Sequence, residues 1–338
     1  MNYYPLIKPL LFQFDAEKIH TWTLKGLKLT HNLGLSDFIN PKIIEKPVTV
    51  MGLEFQNPVG LAAGLDKNGD YIDALSGLGF GSLEIGTVTP RAQPGNPQPR
   101  LFRLAEHNAI INRMGFNNKG VDYSLQQVEK ADYKGILGIN IGKNFDTSIE
   151  NATEDYLISL RKAYKAASYI TINISSPNTK NLRQLQQGDE IKNLLASLKQ
   201  EQQKLQQEHK QYTPIVVKIA PDLSDDEIVH IAKLLKEFSI DGVIATNTTL
   251  DRTAVKNHPF EHEAGGLSGI PVRDRSTYVV ARLAKELQGD IPIIAAGGIF
   301  SAEDAQAKLN AGASLVQIYS GLIYKGPELA YQIMQSLK

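Results

Sequence analysis

From about residue 57 to the end of the chain, short apolar runs rich in β-branched residues recur, each closing in a polar or glycine-rich turn. They span residues 59–63, 82–88, 136–141, 169–174, 215–219, 242–246, 291–296 and 314–319, and helix-like stretches usually follow them. Runs so nearly continuous in apolar residues suit parallel strands covered on both faces. Eight strand–helix units predict an α/β fold, a single (β/α)8 TIM barrel. The intervening helices carry their own signals. Residues 151–167 and 224–238 space apolar side chains three and four apart. Ser224-Asp225-Asp226-Glu227 reads as a capping box, in which hydroxyl and carboxylate satisfy free amides of the first turn. Ser301-Ala302-Glu303-Asp304 is a weaker form of it. Residues 48–55 read as a hairpin closing the barrel bottom, and the almost wholly polar 199–211 as a solvated helix end.

Two stretches depart from the repeat. One lies between the second and third strands and begins with the proline-rich 89–100; the other, 175–188, follows the fourth strand as a polar loop without apolar period. Loops at the C-terminal ends of barrel strands carry active sites, so both are candidate substrate covers. Residues 1–45 form a separate N-terminal helical extension ahead of the barrel at 46–338. Tyr3, Tyr4, Leu6, Ile7, Leu10, Leu11, Phe12 and Phe14 make an apolar cluster broken by Pro5 and Pro9. Asp15 then caps a helix that sets Ile19, Trp22, Leu24, Leu27 and Leu29 among Lys18, Lys25 and Lys28. Such a face suits a membrane interface or packing on a barrel, and the pattern leaves both open.

Composition narrows the chemistry. There is no cysteine among 338 residues, which excludes disulfides, thiolate nucleophiles and cysteine-ligated zinc or iron–sulfur centres. Lysine plus arginine, 36, balances aspartate plus glutamate, 36, so no overall field favours nucleic acid. Neither a signal peptide nor an apolar run long enough to span a bilayer is expected. Motifs for dinucleotides, Walker-type phosphate loops, zinc hydrolases and serine-hydrolase elbows are missing. His258 and His262 stand four apart in a proline-containing loop without a third ligand, so no metal site is expected.

The polar residues fall at the strand ends. In order these are Gly64-Leu65-Asp66-Lys67-Asn68, Thr87, Asn140, Asn173 with Ser175, Ser176 and Asn178, Lys218, Thr246-Asn247-Thr248, Gly297-Gly298 and Tyr319-Ser320-Gly321. Barrel closure would bring them to one mouth. Lys218 sits inside an apolar run, and a buried lysine calls for a fixed anion or an electron-rich ring. The glycines after the seventh and eighth runs suit a phosphate held by backbone amides. Without metal or thiolate, a phosphorylated organic cofactor is implied, and FMN fits.

Seven segments in register resemble dihydroorotate dehydrogenases. They are Ala63-Gly64-Leu65-Asp66-Lys67, Asn112-Arg113-Met114-Gly115-Phe116-Asn117-Asn118, Asn173-Ile174-Ser175-Ser176-Pro177-Asn178-Thr179 and Val217-Lys218-Ile219-Ala220-Pro221-Asp222-Leu223, then Thr246-Asn247-Thr248-Thr249, Gly265-Gly266-Leu267-Ser268-Gly269 and 312–320. The resemblance implies bound FMN and oxidation of dihydroorotate to orotate in pyrimidine synthesis. A serine, Ser176, stands where class 1 members carry cysteine, which points to the quinone-reducing class 2 and makes Ser176 the base. By the same resemblance Lys67, Asn112, Arg113, Met114, Gly115, Phe116, Asn173, Asn178, Asn247 and Thr248 would meet the substrate. Ala63, Gly64, Leu65, Asp66, Lys67, Thr87, Asn140, Asn173, Lys218, Thr246, Gly269, Gly298, Tyr319 and Ser320 would contact FMN. The extension would form a quinone tunnel bordered by His20, Arg103 and Tyr319. Peripheral attachment to the cytoplasmic face of the inner membrane follows from that resemblance, with no nucleic acid or obligate protein partner. The rivals are another FMN barrel enzyme, a flavin-free phosphate-binding barrel isomerase or lyase, and a silent membrane-anchored binding protein.

Overall fold

A computed structural model describes residues 4–35 and 43–337; Tyr3 and segment 36–42 lie outside the described residues. Eight parallel strands close a barrel in sequence order: β1 (Val59–Leu61), β2 (Ser82–Val88), β3 (Ile136–Ile141), β4 (Tyr169–Asn173), β5 (Ile215–Ile219), β6 (Gly242–Ala245), β7 (Ile293–Ala296) and β8 (Leu315–Ile318), which returns to β1. The expected (β/α)8 barrel is present. Strand alternation then sorts the side chains. Leu83 and Ile85, Ile170 and Ile172, and Val217 and Ile219 point outward into the main core shared with the helices. The residues between them, among them Glu84, Asn173 and Lys218, face the barrel axis.

That interior is graded along the axis. At the bottom Tyr169, Val216, Ile244, Ile294 and Leu315 pack with Val50 and Phe55 of the antiparallel hairpin Val48–Val50 and Leu53–Phe55. The hairpin therefore plugs the lower end with apolar side chains, each contributing about 1.5–3 kcal/mol when fully buried. Higher up the interior turns polar. Glu84 on β2 accepts from Asn140 Nδ2 (2.8 Å), Tyr169 OH (2.9 Å) and Gln317 Nε2 (2.7 Å), spanning the barrel from β8 to β4. Gly138 on β3 makes room for this, since a Cβ there would lie 2.3 Å from the Tyr169 ring.

The capping signals read from sequence are present. Ser224 and Glu227 complete the capping box of Asp225–Glu237, and Ser301 accepts from the Asp304 amide at 3.3 Å. Other features differ from expectation. The insertion after β2 folds into Leu101–Leu104 and Ala109–Asn112, which join Gly266–Gly269 in an antiparallel three-stranded sheet over the barrel mouth. The 175–188 loop contains a short 3-10 turn, Leu182–Gln186, that buries Leu182 and Leu185. Within 199–211, Gln202 is buried and donates to Thr213 O (2.9 Å), so that stretch is not simply solvated.

In the extension, α1 (Tyr4–Leu11) contains Pro9, and α2 (Ala16–Asn32) is capped by Asp15 accepting from the Glu17 and Lys18 amides. The prolines thus leave α1 intact: Pro5 lies in the first turn, where no amide hydrogen bond is due, and Pro9 removes only one later bond. Leu24 anchors α2 on the barrel, whereas Leu6 (77%), Leu10 (58%), Trp22 (55%) and Leu29 (60%) stay exposed. Among the described residues no helix is long and apolar enough to cross a membrane.

Candidate active site

A cleft opens at the C-terminal ends of the strands. It is lined by Ala63, Gly64 and Lys67 after β1, Thr87 on β2, Asn173, Ser176 and Asn178 around the end of β4, and Lys218 on β5. Thr246, Asn247 and Thr248 follow β6, Gly298 follows β7, and Tyr319 and Ser320 follow β8. The antiparallel sheet delivers Asn112 and Gly269 from opposite ends of two adjacent strands, and Met114, Gly115 and Phe116 close the wall. Residues dispersed over the chain therefore converge because parallel strands all end on one rim.

Four of the residues expected from sequence to meet substrate or FMN do not line this cleft. Asn140 is fully buried beneath it, accepting from Thr87 Oγ1 (2.5 Å) and Asn173 Nδ2 (3.2 Å). Asp66 spends its carboxylate on the turn, accepting from the amides of Gly69 (2.9 Å) and Tyr71 (2.7 Å) among others. Leu65 lines a different cavity, and the Arg113 side chain turns away to Glu263 and stacks on Phe102. Conversely Gln317 and Ile299 line the cleft and were not singled out. Gln317 alternates with outward Val316 and Ile318, so strand period alone marks it as inward facing.

The carboxylate of Glu84 orients the amides above it. Glu84 Oε1 accepts from Asn140 Nδ2, which leaves the Asn140 oxygen to accept from Thr87 and Asn173. Asn173 then presents its own oxygen to Ser175, which accepts in turn from Asn247 Nδ2 (3.0 Å). Arg183, which sequence reading passed over, ties three loops: it donates to Ser175 O (3.0 Å), Thr248 O (2.8 Å) and Asp222 Oδ2 (2.7 Å).

Several groups lack partners. Lys218 is 6% exposed and has no hydrogen bond or ion pair among the described residues; burial lowers its pKa, partly offset by Glu84. Lys67, half-buried at the cleft, also has no hydrogen bond or ion pair among the described residues, and desolvation pushes it down to about 8, with Glu17 and Asp66 opposing and Arg100 assisting. The Asn178, Thr248 and Gln317 side-chain oxygens are buried and also unpartnered there. Buried polar groups are ordinarily satisfied, so the lysines call for an anionic group on a ligand and the unpartnered amide oxygens for its N–H or O–H donors. Ser176 Oγ accepts from the Asn178 amide at 3.2 Å, an arrangement that favours negative charge on that oxygen. Gly298 has φ +72°, and any Cβ would strike Arg273, so backbone alone faces the cleft.

A second, mainly apolar cavity lies between the extension and the barrel. Its lining includes Ile7, Leu11, Ile19, Leu24 and Leu65, with His20, Thr23, Thr30 and Arg103 among the polar members. Burial, reinforced by Lys67, pushes His20 down to about 3, so its imidazole is neutral. Arg103 donates to Phe12 O (3.1 Å) and to Phe14 O, and stacks on Phe12. Tyr319 lines both cavities and forms their common wall.

These features define a (β/α)8 barrel with a lysine-bearing cleft at the strand ends and a separate apolar chamber behind it. The dihydroorotate dehydrogenase family model matches residues 46–338. A dihydroorotate dehydrogenase (quinone) of Chromobacterium violaceum is 64% identical over 96% of this chain and 95% of its own length. One from Acinetobacter baylyi is 58% identical over 99% of both chains. The crystal structure of DHODH from Eimeria tenella in complex with ferulenol superposes with a TM-score of 0.86 at 38% identity, covering 95% of this chain and 90% of that one. The chain belongs to the dihydroorotate dehydrogenase family.

Proposed function

We propose that the protein oxidises dihydroorotate to orotate in pyrimidine synthesis, with FMN in the barrel cleft and a membrane quinone in the apolar chamber. The observation that carries this reading is the juxtaposition of the two cavities across Tyr319, one polar and lysine-bearing, the other apolar. The relatives named dihydroorotate dehydrogenase (quinone) support it.

The residues fit FMN. Lys218 would hold the electron-rich edge of the ring system, and the backbone at Gly269, Gly298 and Ser320 its phosphate. Bound there, FMN supplies a hydride acceptor for C6 of the substrate and a donor for the quinone. Lys67 would meet the substrate carboxylate, while Asn112, Asn173, Asn178 and Asn247 offer amides to its ring. Ser176 would take the C5 proton, and loss of proton and hydride together leaves the C5–C6 double bond of orotate. The Arg183 clamp holds the serine-bearing loop and the Thr248 loop in fixed relation.

The extension supports peripheral attachment to the cytoplasmic face of the inner membrane. Among the described residues, eight of the thirteen large exposed apolar side chains fall within residues 4–35, beside Lys18 and Lys25. An apolar face edged with lysines suits the headgroup boundary, from which quinone could enter the chamber. The division into an extension at 1–45 and a barrel at 46–338 is part of this reading.

Anaerobic addition of dihydroorotate should bleach the flavin, and a soluble quinone should restore it. Restoration by fumarate or NAD but not by quinone would overturn the proposed acceptor. A pH effect follows from Lys67. Its ammonium is disfavoured by burial, and an anionic ligand restores it, so binding takes up a proton above about pH 8. Dihydroorotate affinity should therefore weaken as pH rises past about 8. In Lys67→Met that slope should vanish and affinity be low throughout; a pH-independent wild-type dissociation constant would count against the lysine.

A further inference from the structure

A series of hydrogen bonds leaves the extension and ends in the polar cleft. Glu17, in the first turn of α2, pairs with Arg100, their side chains 16% and 9% exposed. Arg100 meets the carboxylate through Nη2 (2.7 Å) and Nε (3.1 Å), and Gln98 adds a further donor (3.0 Å). The remaining Arg100 nitrogen, Nη1, donates to Pro94 O (2.7 Å) and Asn96 O (2.8 Å). Asn96 Nδ2 donates onward to the carbonyls of Arg113 (2.9 Å) and Asn178 (3.2 Å). Asn178 Nδ2 reaches Asn112 Oδ1 at 3.0 Å, and both residues line the cleft.

A clamp that merely pinned α2 to the barrel would need only the carboxylate and the guanidinium. The bonds beyond Arg100 contribute nothing to that, and they run toward the polar cleft. Neither Glu17 nor Arg100 lines the apolar chamber. A guanidinium used at three nitrogens has a fixed plane and direction, which transmits position where a lysine would not. The pair also lies in the field around Lys67: Glu17 and Asp66 favour its charge, Arg100 opposes it, and neutral His20 packs close by.

We propose that Glu17 is a positioning residue for the substrate end of the cleft, acting through Arg100 and Asn96 on Asn178 and Asn112. The helix that borders the quinone chamber thus also shapes the pocket for the small anionic substrate. This rests on the dihydroorotate reading above.

The test uses the full-length flavoprotein with Glu17→Gln, which keeps the side-chain shape, and Asn96→Ser, which removes the two onward bonds. Dihydroorotate KM, quinone KM, flavin content and melting temperature are measured for each. Both variants should raise dihydroorotate KM about tenfold, the scale of one lost charge-assisted or buried hydrogen bond. Quinone KM and flavin content should stay at wild-type values, with only a small drop in melting temperature from the lost partner of Arg100. Quinone KM rising while dihydroorotate KM holds would overturn the proposal in favour of a simple helix clamp. Unchanged constants, or both constants rising with a lowered melting temperature, would overturn it too. Bleaching of wild-type flavin by dihydroorotate separates the two levels. Failure of that control overturns the functional reading and this proposal together, whereas unaltered variants beside a bleached wild type overturn this proposal alone.

Discussion

Ser176→Ala should yield a yellow protein whose flavin is reduced by dihydroorotate about 10²- to 10⁴-fold more slowly, the usual span for loss of a positioned general base. Ser176 is buried at the cleft wall, and its oxygen accepts the Asn178 amide, so alanine removes one weak acceptor and little volume. Flavin content should therefore persist. Quinone should still reoxidise flavin reduced by dithionite at the wild-type rate, because the apolar chamber excludes Ser176 from its lining. Anaerobic stopped-flow bleaching reads the effect, and an unchanged rate removes Ser176 from the role of base.

Lys218→Met should weaken flavin binding about 10- to 100-fold, the equivalent of a charge-assisted hydrogen bond lost from a buried site. The same change should make the flavin-free protein more stable. An ammonium buried without hydrogen-bond partners is a burden to the empty fold, and methionine removes it at similar length. Opposite signs for stability and affinity mark a residue kept for its ligand. Equilibrium dialysis of FMN and denaturant unfolding of the flavin-free protein measure the two; destabilisation by Lys218→Met would place the lysine in a structural role instead.

Much of this architecture was legible because local chemistry and global fold agree. The apolar runs became barrel strands, and Ser224 and Asp15 cap the helices they were expected to cap. The convergence of Lys67, Ser176 and Lys218 on one cleft followed from strand ends sharing a rim. What stayed hidden depends on distant pairing. Gly266-Leu267-Ser268-Gly269 has little strand propensity of its own, and its partners at Ala109–Asn112 lie far away in sequence. Arg100 and Glu17 look like ordinary surface charges until α2 is laid across the barrel. Asp66 and Arg113 sit inside family-like segments, yet their side chains serve the turn and Glu263. A motif marks the neighbourhood without saying which way each side chain turns.

The shared aromatic partition at Tyr319 has a kinetic corollary. Under the proposed assignment of dihydroorotate to the barrel rim and quinone to the chamber behind the phenol ring, neither would have to vacate its compartment for the other to enter. A blocker lodged among Ile7, Ile19 and Leu24 would slow turnover however much dihydroorotate is supplied, since crowding one antechamber cannot evict an occupant of the next.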